Sequence, residues 1–290
     1  VRVVTPTAIT YWATGEDIQL AGDQWQPEPT VPHCGTALLL HGGGQTRHSW
    51  KRTAERLAAD GWTTITLDTR GHGDSGWSAD ADYSMDAFVG DLLGICATLP
   101  EPPVIIGASL GGLTALVAEG ENPGTARALV LVDVAPRVED EGTSRIHDFM
   151  AGAPNGFASL DEVADAVAAY NTHRPRPSNV DGLRKNVRLR EDGRWHWHWD
   201  PAFIRGGDEP RRAMDPERFA DAARLIRVPL LLIRGQLSDV VSPEGAAELL
   251  SLVPHARYVD VEATGHMVAG DDNDVFTTEL TDFLDGLPGA

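Results

Sequence analysis

The 290-residue chain is predicted to be an α/β protein on an open, mostly parallel sheet. Two observations carry that prediction. Short, near-continuous apolar runs recur at Thr36–Leu40, Thr63–Leu67, Val104–Ile106, Leu129–Val132 and Leu230–Ile233, each bounded by Gly, Pro or Asp. Runs without polar alternation fit strands buried on both faces of a parallel sheet. Helix-length amphipathic stretches lie between them, and alternation of the two implies right-handed βαβ units.

In chain order, Ala8–Trp25 reads as an antiparallel hairpin, two short runs around Thr14-Gly15-Glu16-Asp17. The strand Thr36–Leu40 leads into His41-Gly42-Gly43-Gly44, and Thr63–Leu67 leads into Arg70-Gly71-His72-Gly73-Asp74-Ser75. Met85, Phe88, Val89, Leu92, Leu93, Cys96 and Leu99 recur at helical spacing. Val104–Ile106 is followed by Gly107-Ala108-Ser109-Leu110-Gly111 and a small-residue helix, Gly112–Ala118. After Leu129–Val132 the alternation breaks. Residues 137–218 are polar, helical at Asp161–Tyr170, and rich in Pro, Arg and Trp, so they read as an insertion. The core is then 1–136 and 219–290. The pattern resumes with Leu230–Ile233, a short strand near Tyr258–Val261, and a helix carrying Phe276, Leu280, Phe283 and Leu284.

Composition narrows the function classes. Hydrophobic residues at 42% and charged residues at 23% fit a folded globular enzyme. The net charge of −19 disfavours nucleic acid and anionic membrane surfaces as partners. No run approaches the roughly 18 apolar residues of a membrane helix, and the first residues lack a signal-peptide layout. Two cysteines, Cys34 and Cys96, make neither a disulfide framework nor zinc spacing. A cytoplasmic protein is expected.

Gly107-Ala108-Ser109-Leu110-Gly111 is a G-x-S-x-G between strand and helix, the layout of a nucleophile elbow. A serine is a weak nucleophile without a base, and the base needs an orienting acid. In the order typical of open α/β enzymes the acid follows the serine and the histidine comes last. Asp239 follows the strand Leu230–Ile233, and His266 lies in Ala263-Thr264-Gly265-His266-Met267 after the strand near Tyr258–Val261. Ser109, Asp239 and His266 therefore converge on the sheet's carboxyl edge. Asp133 competes for the acid role because it also ends a strand, and His72 competes for the base role. His41 reads as a loop brace. Acyl transfer also needs donors aimed at the developing oxyanion, and the Gly43 and Leu110 amides are the expected pair. In Trp195-His196-Trp197-His198-Trp199, a strand would put the tryptophans on one face and the histidines on the other. Packing inside the insertion and the roof of a substrate pocket are both open for Trp195, Trp197 and Trp199. No third ligand is spaced to make His196 and His198 a metal site.

With Asp68–Ser75 added to these motifs, the sequence resembles the α/β-hydrolase superfamily along nearly its whole length. The resemblance implies an eight-stranded, mostly parallel sheet, with 137–218 as a mainly helical cap. It also implies Ser109, Asp239 and His266 as a triad, and Gly43 and Leu110 as oxyanion donors. A serine at the elbow argues against the haloalkane dehalogenase and epoxide hydrolase branches, which carry aspartate there. Capped esterases, enol-lactone hydrolases, cofactor-free perhydrolases and carbon–carbon bond hydrolases are all similar. The expected activity is cleavage of a small carboxylic ester or lactone through an acyl-enzyme, without cofactor or metal. The alternatives are perhydrolysis or carbon–carbon cleavage on the same triad, and a hydrolase-like ligand receptor.

Overall fold

A computed structural model describes residues 6–12, 17–170, 176, 179–205, 215–262 and 274–288. Eight strands form the main sheet: β1 (Thr7–Trp12), β2 (Gln19–Trp25), β3 (Gly35–Leu40), β4 (Trp62–Leu67), β5 (Val104–Ala108), β6 (Ala128–Val132), β9 (Leu230–Gly235) and β10 (Arg257–Val261). Their order is β1-β2-β4-β3-β5-β6-β9-β10. β1 and β2 pair antiparallel, as do β2 and β4, and every other pair is parallel. The mostly parallel, eight-stranded sheet is the expected one.

The apolar runs are continuous because both faces are covered. Leu38, Leu40, Ile105, Leu129, Leu131 and Leu232 face one side, with Leu92, Leu116, Phe219 and Leu249. Those partners come from α2 (Met85–Cys96), α3 (Leu110–Glu121), α7 (Pro216–Leu225) and α8 (Pro243–Leu252). The intervening Leu39, Ile106, Val130, Leu231 and Ile233 face the other side, with Leu57 of α1 (Lys51–Ala59) and Phe276, Leu280 and Phe283 of α9 (Asp274–Asp285). Side chains alternate across a strand with period two, so the two helical layers divide each run between them. Sequence-coded starts fix two of these helices: Asp215 and Ser242 accept from backbone amides of the first turn, each followed by proline.

Between β6 and α7 lie α4 (Asp140–Ala151), α5 (Leu160–Tyr170), the hairpin of β7 (Val187–Leu189) and β8 (Trp195–Trp197), and the short α6 (Pro201–Arg205). This segment has its own apolar cluster, with Met150, Phe157, Leu160, Val163, Leu183, Val187, Trp197 and Trp199. It is tied to the loop after β4 at several points. Tyr83 Oη donates to Asp200 Oδ2 at 2.6 Å, the Asp200 amide donates to the Gly71 carbonyl at 2.8 Å, and Arg188 pairs with Asp74 at 2.5 Å. No helix among the described residues is long and apolar enough to cross a membrane.

Candidate active site

Ser109 lies between β5 and α3, immediately before the first residue of the helix, with φ +46° and ψ −116°. A non-glycine residue there is strained, and such strain persists only where its surroundings over-determine it. Here they do. The Ser109 amide donates to Val132 O of β6 at 3.2 Å, and Leu113 N donates to Ser109 O at 3.0 Å. The flanking glycines are required by space: a Cβ on Gly107 would lie 2.5 Å from the Gly111 backbone, and one on Gly111 would lie 2.6 Å from Leu40 O. Serine at a helix N-terminus usually caps it, but Ser109 makes no side-chain capping bond. Leu110 follows as the first residue of α3, so its amide has no partner within the helix.

The glycine loop lies beside the serine. A Cβ on Gly42 would come within 3.2 Å of Ser109 Cβ. Residues 42–45 form a tight turn, with Gln45 N donating to Gly42 O and Gly42 N donating to Gln45 Oε1, both at 3.1 Å. Among the described residues the Gly43 amide meets no acceptor. Gly44 has φ +71°, which favours glycine. Met150 and Phe203 of the insertion cover the loop, the Met150 side chain falling 3.2 Å from a Cβ built on Gly44.

Three buried histidines hold this loop, and their partners fix their tautomers. His41 Nε2 accepts from Thr69 N at 3.1 Å, so Nδ1–H donates to Gly42 O at 2.8 Å. His72 Nε2 accepts from Gly44 N at 3.2 Å, so Nδ1–H faces Arg70 O at 3.1 Å. His198 Nδ1 accepts from Gly73 N at 2.8 Å, so Nε2–H donates to Gly44 O at 3.3 Å. All three are neutral imidazoles. Burial lowers the pKa of each; that of His72 is pushed down to about 3 by burial and then by its neighbour His41. The bonds His72 makes use both its nitrogens and leave neither for proton abstraction. His41 acts as the loop brace the sequence indicated.

These histidines make stability depend on pH with a definite sign. The unfolded chain binds their protons near pH 6.5, and the folded chain does so only at lower pH. Their contribution is therefore complete above pH 6.5 and is lost as pH falls toward the folded values. Each contributes up to about 1.4 kcal/mol per pH unit in that window. The urea midpoint should fall between pH 7 and pH 5, above the carboxylate range. The fall should be shallower in a His72→Gln variant; a midpoint flat across that window in the wild type would contradict the assignment.

The two carboxylates are held differently. Asp133, with φ +50°, is fully buried. Its Oδ1 accepts from Gly235 N at 3.0 Å and its Oδ2 from Ser238 Oγ at 2.6 Å. Ser238 Oγ in turn accepts from Val240 N and Val241 N, both at 3.1 Å. Asp133 thus braces the loop that carries Asp239. The Asp239 side chain is one-third exposed and pairs with Arg145 of α4 at 2.7 Å. His266 lies outside the described residues.

The tryptophans divide. Trp197 and Trp199 stack at 4.9 Å within the insertion's cluster, and Phe149 and Phe157 pack on Trp197 at 5.1 and 5.0 Å. Trp199 Nε1 donates to Met150 O at 3.3 Å. Trp195 lies under the Arg184 guanidinium at 5.0 Å. The residues seen against the glycine loop are instead Met150, Phe203 and His198. His198 as a loop anchor was not among the expected site residues; the Trp197–Trp199 face packs within its own cluster, and the buried His198 points to the glycine loop instead.

Residues 37–272 match the family model for the α/β-hydrolase fold. An esterase of Mycobacterium tuberculosis, Rv0045c, is 32% identical over 245 residues, spanning 81% of this chain and 77% of that protein. A 3-hydroxybutyrate-oligomer hydrolase of Cupriavidus necator is 29% identical over 264 residues, 86% of this chain and 87% of its own. Among solved structures, an α/β hydrolase from Novosphingobium aromaticivorans superposes with a TM-score of 0.78 at 24% identity, covering 97% of this chain and 99% of its own.

Proposed function

The chain belongs to the α/β-hydrolase family and is a hydrolase; on that premise we propose that it cleaves a carboxylic ester or lactone through an acyl-enzyme on Ser109. The observation that carries the reading is the strained Ser109, uncapped at the start of α3, beside a glycine turn whose Gly43 amide meets no acceptor among the described residues. In this reading Ser109 Oγ attacks the carbonyl carbon while His266 takes its proton. The Gly43 and Leu110 amides receive the negative oxygen. Asp239 orients the imidazole and stabilises its charged form. His266 then protonates the departing alkoxide as the carbon–oxygen bond breaks. Water, deprotonated by the same histidine, releases the acid and restores the Ser109 hydroxyl.

Residues 137–218 act as a cap in this proposal. The segment leaves the carboxyl end of β6, the side on which open α/β sheets bind ligands. Met150 and Phe203 give the glycine turn an apolar cover, which supports a substrate with an apolar acyl or alcohol group. The esterase and oligomer-hydrolase relatives support ester chemistry. The test is turnover of a panel of aryl esters and lactones, run with and without hydrogen peroxide plus acetate. Ester or lactone hydrolysis is expected; peracid formation that outpaces every hydrolysis would assign the triad to perhydrolysis, and no turnover of any member would sink the reading.

The cap makes a separate prediction. Met150→Ala removes side-chain atoms directly over Gly44 and should raise the kcat/KM ratio of bulky to short esters by roughly tenfold. Trp197→Ala empties a packed cluster instead and should cost roughly 3–5 kcal/mol of stability, with little change in that ratio. Ester preference following Trp197 rather than Met150 would move the specificity determinants to the tryptophans.

A further inference from the structure

We infer that His198, carried by the segment between β6 and α7, is a positioning residue for the oxyanion loop: where His41 on Gly42 O and His72 on Gly44 N hold the turn from the core, His198 fixes the Gly44–Gln45 peptide and so completes the aim of the Gly43 amide. The inference rests on the reading of Gly43 as an oxyanion donor. Gly42, Gly43 and Gly44 have no side chains with which to anchor themselves, so the turn depends on hydrogen bonds from outside. The Gly43–Gly44 peptide is held by His72, whose Nε2 accepts from Gly44 N. The Gly44–Gln45 peptide is held by His198 Nε2 on Gly44 O, together with the turn's own Gln45 N to Gly42 O bond. His198 is itself aimed by its other nitrogen, which accepts from Gly73 N in the loop after β4. One buried ring from the insertion therefore spans two core loops, those that follow β3 and β4.

The ring has little freedom to do otherwise. It is 2% exposed, packs edge-on against Trp199 at 5.1 Å, and lies 5.9 Å from His72. Nearby, the Asp200 amide donates to Gly71 O and its carboxylate accepts from Tyr83 Oη. Displacing this part of the insertion would withdraw the bond to Gly44 O. An oxyanion donor must lie about 2.7–3.1 Å from the developing charge, and a misplacement of about 1 Å can cost on the order of 10²-fold in rate.

The test uses two variants of similar chemistry and different reach. The amide of His198→Asn overlies Nδ1 and keeps the Gly73 bond while losing Gly44; that of His198→Gln reaches the Nε2 position and keeps Gly44 while losing Gly73. Each loses one hydrogen bond, so a general loss of stability treats them alike. With a short-acyl aryl ester, the Asn variant should lose roughly 10- to 100-fold in kcat with KM nearly unchanged, and a small phosphonate should react with Ser109 more slowly in parallel. The Gln variant should remain within about fivefold of wild type. Equal kcat in the two variants, an effect confined to KM, or failure of both to fold would overturn the role of His198. A wild type that neither turns over esters nor takes the phosphonate would sink the serine-hydrolase reading instead. Hydrogen exchange across residues 42–45 would then decide His198 alone: faster exchange in Asn than in Gln supports it, and no difference rejects it.

Discussion

Ser109→Ala is expected to lower kcat toward esters by roughly 10⁶-fold while leaving the melting temperature nearly unchanged. Both halves of that expectation follow from the elbow. The Ser109 side chain makes no capping bond to α3, so alanine removes no helix-terminal contact. The backbone bonds from Ser109 N to Val132 O and from Leu113 N to Ser109 O do not involve the side chain and survive. The hydroxyl alone is lost. Residual activity would come from the glycine turn and binding, which together still accelerate the attack of water by roughly 10³–10⁴-fold in such sites. Turnover within tenfold of wild type would mean that Ser109 is not the nucleophile.

The second large effect is expected at the acid. In the proposed triad, Asp239→Asn keeps the shape of the side chain but favours the wrong imidazole tautomer in His266, so a loss of roughly 10⁴ in kcat is expected. Asp133→Asn should act differently. Asp133 accepts from Gly235 N and Ser238 Oγ with its two oxygens, and an amide can accept with only one. That variant should lose roughly 1–3 kcal/mol of stability through the mispaired group, with a much smaller loss of kcat. Steady-state kinetics and urea titration of the two variants separate the roles. The opposite ranking in kcat would move the acid to the end of β6.

The fold was legible wherever burial writes a period into the chain. The run Thr36–Leu40 is near-continuously apolar because alternate residues meet two helical layers, and it is found as the strand Gly35–Leu40. Val104–Ile106 was read two residues short, because Gly107 and Ala108 lack strand-forming side chains although they pair with Leu131 and Val132. The elbow was legible because its glycines are sterically obligatory. Residues 137–218 read as an insertion only from the break in the alternation, and the β7–β8 hairpin within them was not legible, since three-residue strands carry almost no period. Long-range partners were not legible either. Nothing local to His198 indicates that it meets Gly44, 154 positions away, or local to Arg145 that it meets Asp239.

The proposed reaction stands on a nucleophilic Ser109 that forms the covalent intermediate. Intact mass and peptide mapping after exposure to a small serine-directed phosphonate test it most directly. One adduct per chain is expected, on Ser109, formed in step with the loss of ester turnover and absent from Ser109→Ala. An adduct on another residue, or full modification of Ser109 with turnover intact, would contradict it.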